Sequence, residues 1–138
     1  MSVTYAGSCL CGRVRYELDT EPKITVACHC SLCRKATGSA FATCTLVPTD
    51  HFRWTAGREE IREFRSSDHG RRMFCGRCGT TLGNLTAHRP AFMHLAAGTL
   101  DRAPTLRIKF HAYVGSKASW YEIADSYPRF EELPDSAK

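Results

Sequence analysis

The chemistry written into this chain is concentrated in its cysteines. Seven of the eight fall into three tight groups: Cys9-Leu10-Cys11, Cys28-His29-Cys30-Ser31-Leu32-Cys33 and Cys75-Gly76-Arg77-Cys78. On an extended backbone, residues i and i+2 share a face, so Cys9 and Cys11 can aim both sulfurs at one ion. A Cys-x-x-Cys segment closes as a tight turn, in which Gly76 and Gly79 are free to adopt positive φ. Backbone N–H groups in such turns point at the sulfurs and support their negative charge. Zinc takes four thiolates tetrahedrally at about 2.3 Å, and Cys9, Cys11, Cys75 and Cys78 supply such a closed, structural site. Two disulfides are the competing arrangement, and they require an oxidising compartment.

Cys28 and Cys30 share a face by the same spacing, and Cys33 closes back on them through a second Cys-x-x-Cys turn. Three thiolates with one open position is the arrangement of a catalytic zinc. The expectation is therefore two zinc ions per chain, although iron is also compatible with thiolate sets. The open position suits water, a substrate sulfur or a histidine. His29 lies between two ligands and points away from their face, as a hydrogen-bonded structural histidine does. Cys44 sits in the apolar run Phe41-Ala42-Thr43-Cys44-Thr45-Leu46, which suits core packing, with fourth ligand or redox thiol as alternatives.

Other polar residues are candidates for holding a substrate. Thr37-Gly38-Ser39 makes a turn that either presents N–H and O–H groups to a ligand or simply leads into a strand. His111, Gly115-Ser116-Lys117 and Trp120-Tyr121 combine a basic group, a turn and aromatics, a mix that suits an anionic small molecule with an apolar part. Ser39, His111, Lys117 and Trp120 are the substrate contacts this reading selects.

These side chains need a scaffold, and the hydrophobic pattern points to strands. Val14, Tyr16 and Leu18 alternate with Arg13, Arg15 and Glu17, the period of a half-buried strand. Residues 61–65 and 106–110 repeat that alternation, and short β-rich runs occupy 24–27, 40–47, 73–74 and 92–95. Turn-rich pieces separate them, as expected for a mostly-β domain of short antiparallel strands. One short helical turn is expected at 31–37, stopped by Gly38. With no repeat or linker, the 138 residues read as a single domain with a core of about 5–125. Residues 126–138, with Pro128 and Pro134, read as a surface tail.

The totals narrow the function classes. No stretch approaches the roughly 20 apolar residues of a membrane span. The N-terminus has neither a basic start nor an apolar core, so no signal peptide is visible and the cytoplasm is the expected compartment. The net charge of +5 favours anionic partners, but the basic residues are scattered, with no run that marks a nucleic-acid surface.

Three motifs carry a family resemblance: Gly7-Ser8-Cys9-Leu10-Cys11-Gly12, Cys28-His29-Cys30-Ser31-Leu32-Cys33-Arg34 and Phe74-Cys75-Gly76-Arg77-Cys78-Gly79. With Gly98-Thr99-Leu100-Asp101 and Gly115-Ser116-Lys117-Ala118-Ser119-Trp120, they resemble the glutathione-dependent formaldehyde-activating enzyme family, whose eukaryotic relatives include centromere protein V. The resemblance implies a β-tent fold, a structural zinc on the first and third motifs and a second zinc on the middle one. It also implies carbon–sulfur lyase-type chemistry on glutathione and formaldehyde, giving S-hydroxymethylglutathione. The competing class is a non-catalytic zinc module that binds protein or nucleic acid.

Overall fold

A computed structural model describes residues 5–103 and 105–135; residues 1–4, Pro104 and the last three residues of the expected tail lie outside it. Ten strands and one helix follow in chain order: β1 (Tyr5–Ser8), β2 (Arg15–Leu18), β3 (Ile24–Cys28), α1 (Ser31–Thr37), β4 (Ala42–Pro48), β5 (Phe52–Ala56), β6 (Ile61–Arg65), β7 (Gly70–Cys75), β8 (Thr81–Thr86), β9 (Phe92–Ala96) and β10 (Ile108–Ala112). The mostly-β expectation holds, as does the short helix at 31–37. Gly38 ends that helix in the left-handed conformation, at φ 66°. Its N–H bonds back to the Arg34 carbonyl and satisfies one of the last free acceptors.

The strands form two sheets, β1-β2-β5 and β10-β3-β4-β9-β8-β7-β6. All pairings are antiparallel except β10 with β3, so the larger sheet is mixed rather than purely antiparallel. The core lies where β2 packs its alternating side chains against the larger sheet. Val14, Tyr16 and Leu18 meet Val47, Met73, Leu82, Met93 and Leu95, all buried. Full burial of an aliphatic side chain of this size contributes about 1.5–3 kcal/mol. Tyr16 is satisfied at its polar end by a 2.7 Å hydrogen bond to Thr99 Oγ1 and is stacked on Phe52.

β1, β5 and β8 fell outside the strands expected from the sequence. In β5 the signal was present, since Phe52 and Trp54 alternate with Arg53 and Thr55 and pack against Tyr16. In β8 it was weak, because Gly83 and Asn84 are poor strand formers taken alone. Gly83 is nevertheless required there: a Cβ would stand 2.3 Å from the His94 carbonyl oxygen of the adjacent strand.

The expected tail is partly a working element. The Phe130 N–H donates to the His111 carbonyl, and the His111 N–H donates to that of Pro128. Phe130 also meets Phe110 edge to face, with ring centroids 5.4 Å apart. Residues 128–132 therefore line β10 instead of running free over the surface.

Candidate metal centres and the cleft beside them

The first and third cysteine groups converge. The Sγ atoms of Cys9, Cys11, Cys75 and Cys78 all lie within 4.8 Å of one another. Cys9 and Cys11 sulfurs are 3.5 Å apart, and those of Cys11 and Cys75 are 3.9 Å apart. A disulfide needs about 2.05 Å, whereas tetrahedral sulfurs at 2.3 Å from zinc stand ~3.8 Å from each other. The spacing therefore fits a four-thiolate ion and not a pair of disulfides.

Local structure explains how the loops deliver these sulfurs. After β1, the Val14 N–H turns back to donate to Cys9 Sγ at 3.3 Å. After β7, the Arg77 N–H donates to Cys75 Sγ at 3.4 Å. Gly79 takes positive φ as expected (79°), but Gly76 does not. Gly76 is needed for space instead, because a Cβ would sit 2.9 Å from Arg62 Cγ and 3.0 Å from the Glu60 carbonyl. Thr80 ties the two loops together by accepting the Leu10 N–H at 3.0 Å. The Thr80 hydroxyl and N–H also hold the Cys78 thiol down to about 5, so it favours the thiolate that a metal requires.

The middle group is built differently. Cys28 ends β3, Cys30 caps the N-terminus of α1, and Cys33 lies in the first turn of that helix. The Cys33 N–H donates to Cys30 Sγ at 3.3 Å, so one of the helix's free donors is spent on a sulfur that could hold a metal. The three sulfurs lie within 4.8 Å of one another, and among the described residues no fourth Cys, His, Asp or Glu joins them. Hydrogen bonds from the Cys28 and Cys33 thiols pull Cys30 down to about 2, helped by the Cys33 N–H and the Arg72 charge. The Cys30 contact in turn pushes Cys28 far up. Three thiols sharing one negative charge in this way are suited to a divalent cation, which relieves the repulsion among them.

Around this group the structure sorts the candidate residues. His29 is 0% exposed and His111 1% exposed. His29 Nε2 meets His111 Nδ1 at 2.8 Å, and His111 Nε2 reaches Asp125 Oδ2 at 2.9 Å. His111 thus bridges the His29 ring and the Asp125 carboxylate. His111 is buried and does not line the cleft over the larger sheet. Lys117 Nζ donates to the carbonyls of Ala118 and Tyr121. Ser39 is exposed, and Trp120 is 73% exposed. Burial, followed by the nearby Cys33 charge, pushes the Cys44 thiol up to about 12. Tyr113, unremarked in the sequence, follows β10 with φ 57° and is the sole described non-glycine residue in that region. Burial first, and then the charges of Cys28, Cys30 and Cys33, push its phenol up.

A cleft of about 520 Å³ opens over the larger sheet, and Cys28, Cys30 and Cys33 are not among its lining residues. It is lined by Thr37 on α1, Cys44 on β4, Arg72 on β7, Asn84 on β8 and His94 on β9, and by none of Ser39, His111, Lys117 and Trp120. Arg72 joins it to the cysteines, with Nη2 3.7 Å from Cys33 Sγ. The sequence listed Arg72 only among scattered basic residues and gave no sign of Asn84 or His94. What unites these three is cross-strand register.

Known proteins place this arrangement. The chain is 36% identical over 81 residues to an uncharacterized lyase of Schizosaccharomyces pombe, the match covering 56% of this chain and 55% of that protein. It thus spans little more than half the length of that relative. A Halomonas elongata protein, provisionally named a glutathione-dependent formaldehyde-activating enzyme, is 28% identical over 85% of this chain and 79% of its own length. A crystal structure of a Rhodobacter sphaeroides protein shares the fold, with a TM-score of 0.61 and 22% identity over 72% of this chain and 91% of that one. Residues 4–116 match the profile of the glutathione-dependent formaldehyde-activating enzymes, and the chain belongs to that family.

Proposed function

We propose that the chain is a zinc-dependent carbon–sulfur lyase-type enzyme that works on a thiol adduct, joining glutathione and formaldehyde to S-hydroxymethylglutathione or reversing that step. The observation that carries this reading is the unequal construction of the two cysteine groups. Cys9, Cys11, Cys75 and Cys78 bring four sulfurs together, while Cys28, Cys30 and Cys33 bring only three, linked through Arg72 to a cleft. All eight cysteines are unpaired, which suits a reducing compartment such as the cytosol.

In the reaction the S–H bond of the thiol breaks and a C–S bond forms. The carbonyl π pair moves to oxygen, which takes up the proton, so atoms and charge balance without a redox partner. Zinc held by Cys28, Cys30 and Cys33 supplies a lowered pKa for an incoming thiol. The protein's own groups do the rest. Arg72 donates to Cys33 Sγ and its charge favours the Cys30 thiolate, and the cleft admits a molecule of peptide size. His29 and His111 stay buried, their hydrogen bond fixing the Cys28–Cys30 segment against β10.

The test is NMR exchange between formaldehyde plus glutathione and their adduct, with and without zinc-loaded protein. Acceleration is expected, and Cys30→Ser should reduce it by 100-fold or more while lowering zinc from two ions per chain to one. Absence of acceleration by the fully loaded protein would refute the reaction and favour a non-catalytic zinc module.

A further inference from the structure

The floor of the cleft is one face of the larger sheet, and register decides which side chains share it. Arg72 pairs with Asn84 across β7 and β8, and Asn84 pairs with His94 across β8 and β9. The three therefore stand in a row across three strands, and neighbouring strands are about 4.8 Å apart. Their sequence neighbours Met73, Met93 and Leu95 point to the opposite, core side. A register shift between Met73 and Phe74 keeps this division intact on β8. Phe74 pairs with Thr81, which lines the cleft, while Leu82 is turned into the core. Bulges that re-aim side chains in this way are common beside binding sites.

Two nitrogens of the row, Arg72 Nε and His94 Nε2, are buried and have no hydrogen-bond partner. A buried polar group without a partner is costly, and of the four such nitrogens among the described residues, these two line the same cleft with Asn84 between them, while His29 Nδ1 and Arg34 Nε do not line it. The lining includes the Arg72 guanidinium but no Asp or Glu. One positive charge, an amide and an imidazole form a receptor for a singly charged oxygen acid. A more highly charged group would find too few cations.

We propose that Arg72, Asn84 and His94 form a carboxylate subsite that selects acidic, peptide-sized thiols and seats them with sulfur toward Cys33. Arg72 stands at the cysteine end, where it also touches Cys33, and His94 lies two strands away. A ligand spanning the row therefore has its thiol and its acid group several bonds apart, as in a short peptide and unlike a simple alkyl thiol. The subsite rests on the proposed thiol chemistry for its biological purpose, but its binding is separable from that chemistry.

The test uses S-methylglutathione, a thioether that cannot take part in the reaction, titrated calorimetrically into zinc-loaded protein. The wild type is expected to bind it, and to bind the derivative with both carboxylates converted to carboxamides at least tenfold more weakly. Arg72→Gln should weaken binding of the acid form at least tenfold, and His94→Gln three- to tenfold, with zinc content unchanged. If Arg72→Gln loses zinc or fails to fold, His94→Gln carries the test. Failure of the wild type to bind, equal affinity for acid and amide forms, or unaltered affinity in a correctly folded variant would overturn the subsite. If carboxylate-dependent binding persists while formaldehyde exchange is not accelerated, the subsite stands and the proposed reaction falls.

Discussion

The two cysteine groups use the same sulfur ligands under opposite constraints. At Cys9, Cys11, Cys75 and Cys78, two loops 64 residues apart at Cys11 and Cys75 meet across the core, and Cys9 and Cys75 are buried. The site joins the three-stranded sheet to the larger one, so an ion there closes a long loop in the fold. At Cys28, Cys30 and Cys33 the ligands come from a strand end and the helix that directly follows it. An ion there closes almost no loop, and its surroundings are an arginine and a cleft. On the proposed reading, ligand number and chain separation, more than ligand type, would divide a metal that holds the fold from one free to do chemistry.

That contrast is most directly broken at Cys75. Structural zinc in small domains contributes apparent folding energies of ~10–16 kcal/mol, which matches or exceeds the roughly 5–15 kcal/mol of a typical domain. Cys75→Ser should therefore abolish the cooperative thermal transition followed by circular dichroism, while Cys30→Ser retains it. A Cys75→Ser protein that melts like the wild type would remove the distinction between the sites.

A smaller effect concerns acid stability on the cleft side. Burial, and then the charge of Arg89, hold His94 down to about 4, below its ordinary 6.5. Between these values the unfolded chain takes a proton that the folded chain refuses, so stability falls as pH drops from 6.5 to 4. The loss is complete below that window. The slope is at most ~1.4 kcal/mol per pH unit for one imidazole. Denaturant melts of His94→Gln should show a shallower decline across the same range, with thiolate protonation common to both proteins. Identical slopes would mean that His94 is solvated.

The smallest effect is expected at Cys44. Its thiol is pushed up to about 12, so it is neither a ready ligand nor a nucleophile at neutral pH. Cys44→Ala should keep two zinc ions per chain and change the exchange rate by less than about threefold. Loss of one zinc would make Cys44 the fourth ligand and turn the open site into a closed one.

The grouping of the cysteines into two sets that could hold a metal was legible in the chain, because Cys-x-Cys and Cys-x-x-Cys are local geometries. The strands at 15–18 and 61–65 were legible for the same reason, since alternation is a local signal. β8 was not, because Gly83 earns its place only through the His94 carbonyl of the next strand. The burial of His111 was not legible from its neighbours, since its partners His29 and Asp125 lie 82 and 14 residues away.

By itself, then, the order of residues determined the two ligand groups, the mostly-β character and the family. Only the tertiary structure decided which polar residues meet at the cleft. Arg72, Asn84 and His94 are ordinary residues in ordinary strands, and no spacing links them. They share one face because hydrogen-bonded register sets three strands side by side and the shift at Met73 and Phe74 keeps the core and cleft sides of β8 distinct. Register is a property of paired strands, so one strand read alone does not contain it.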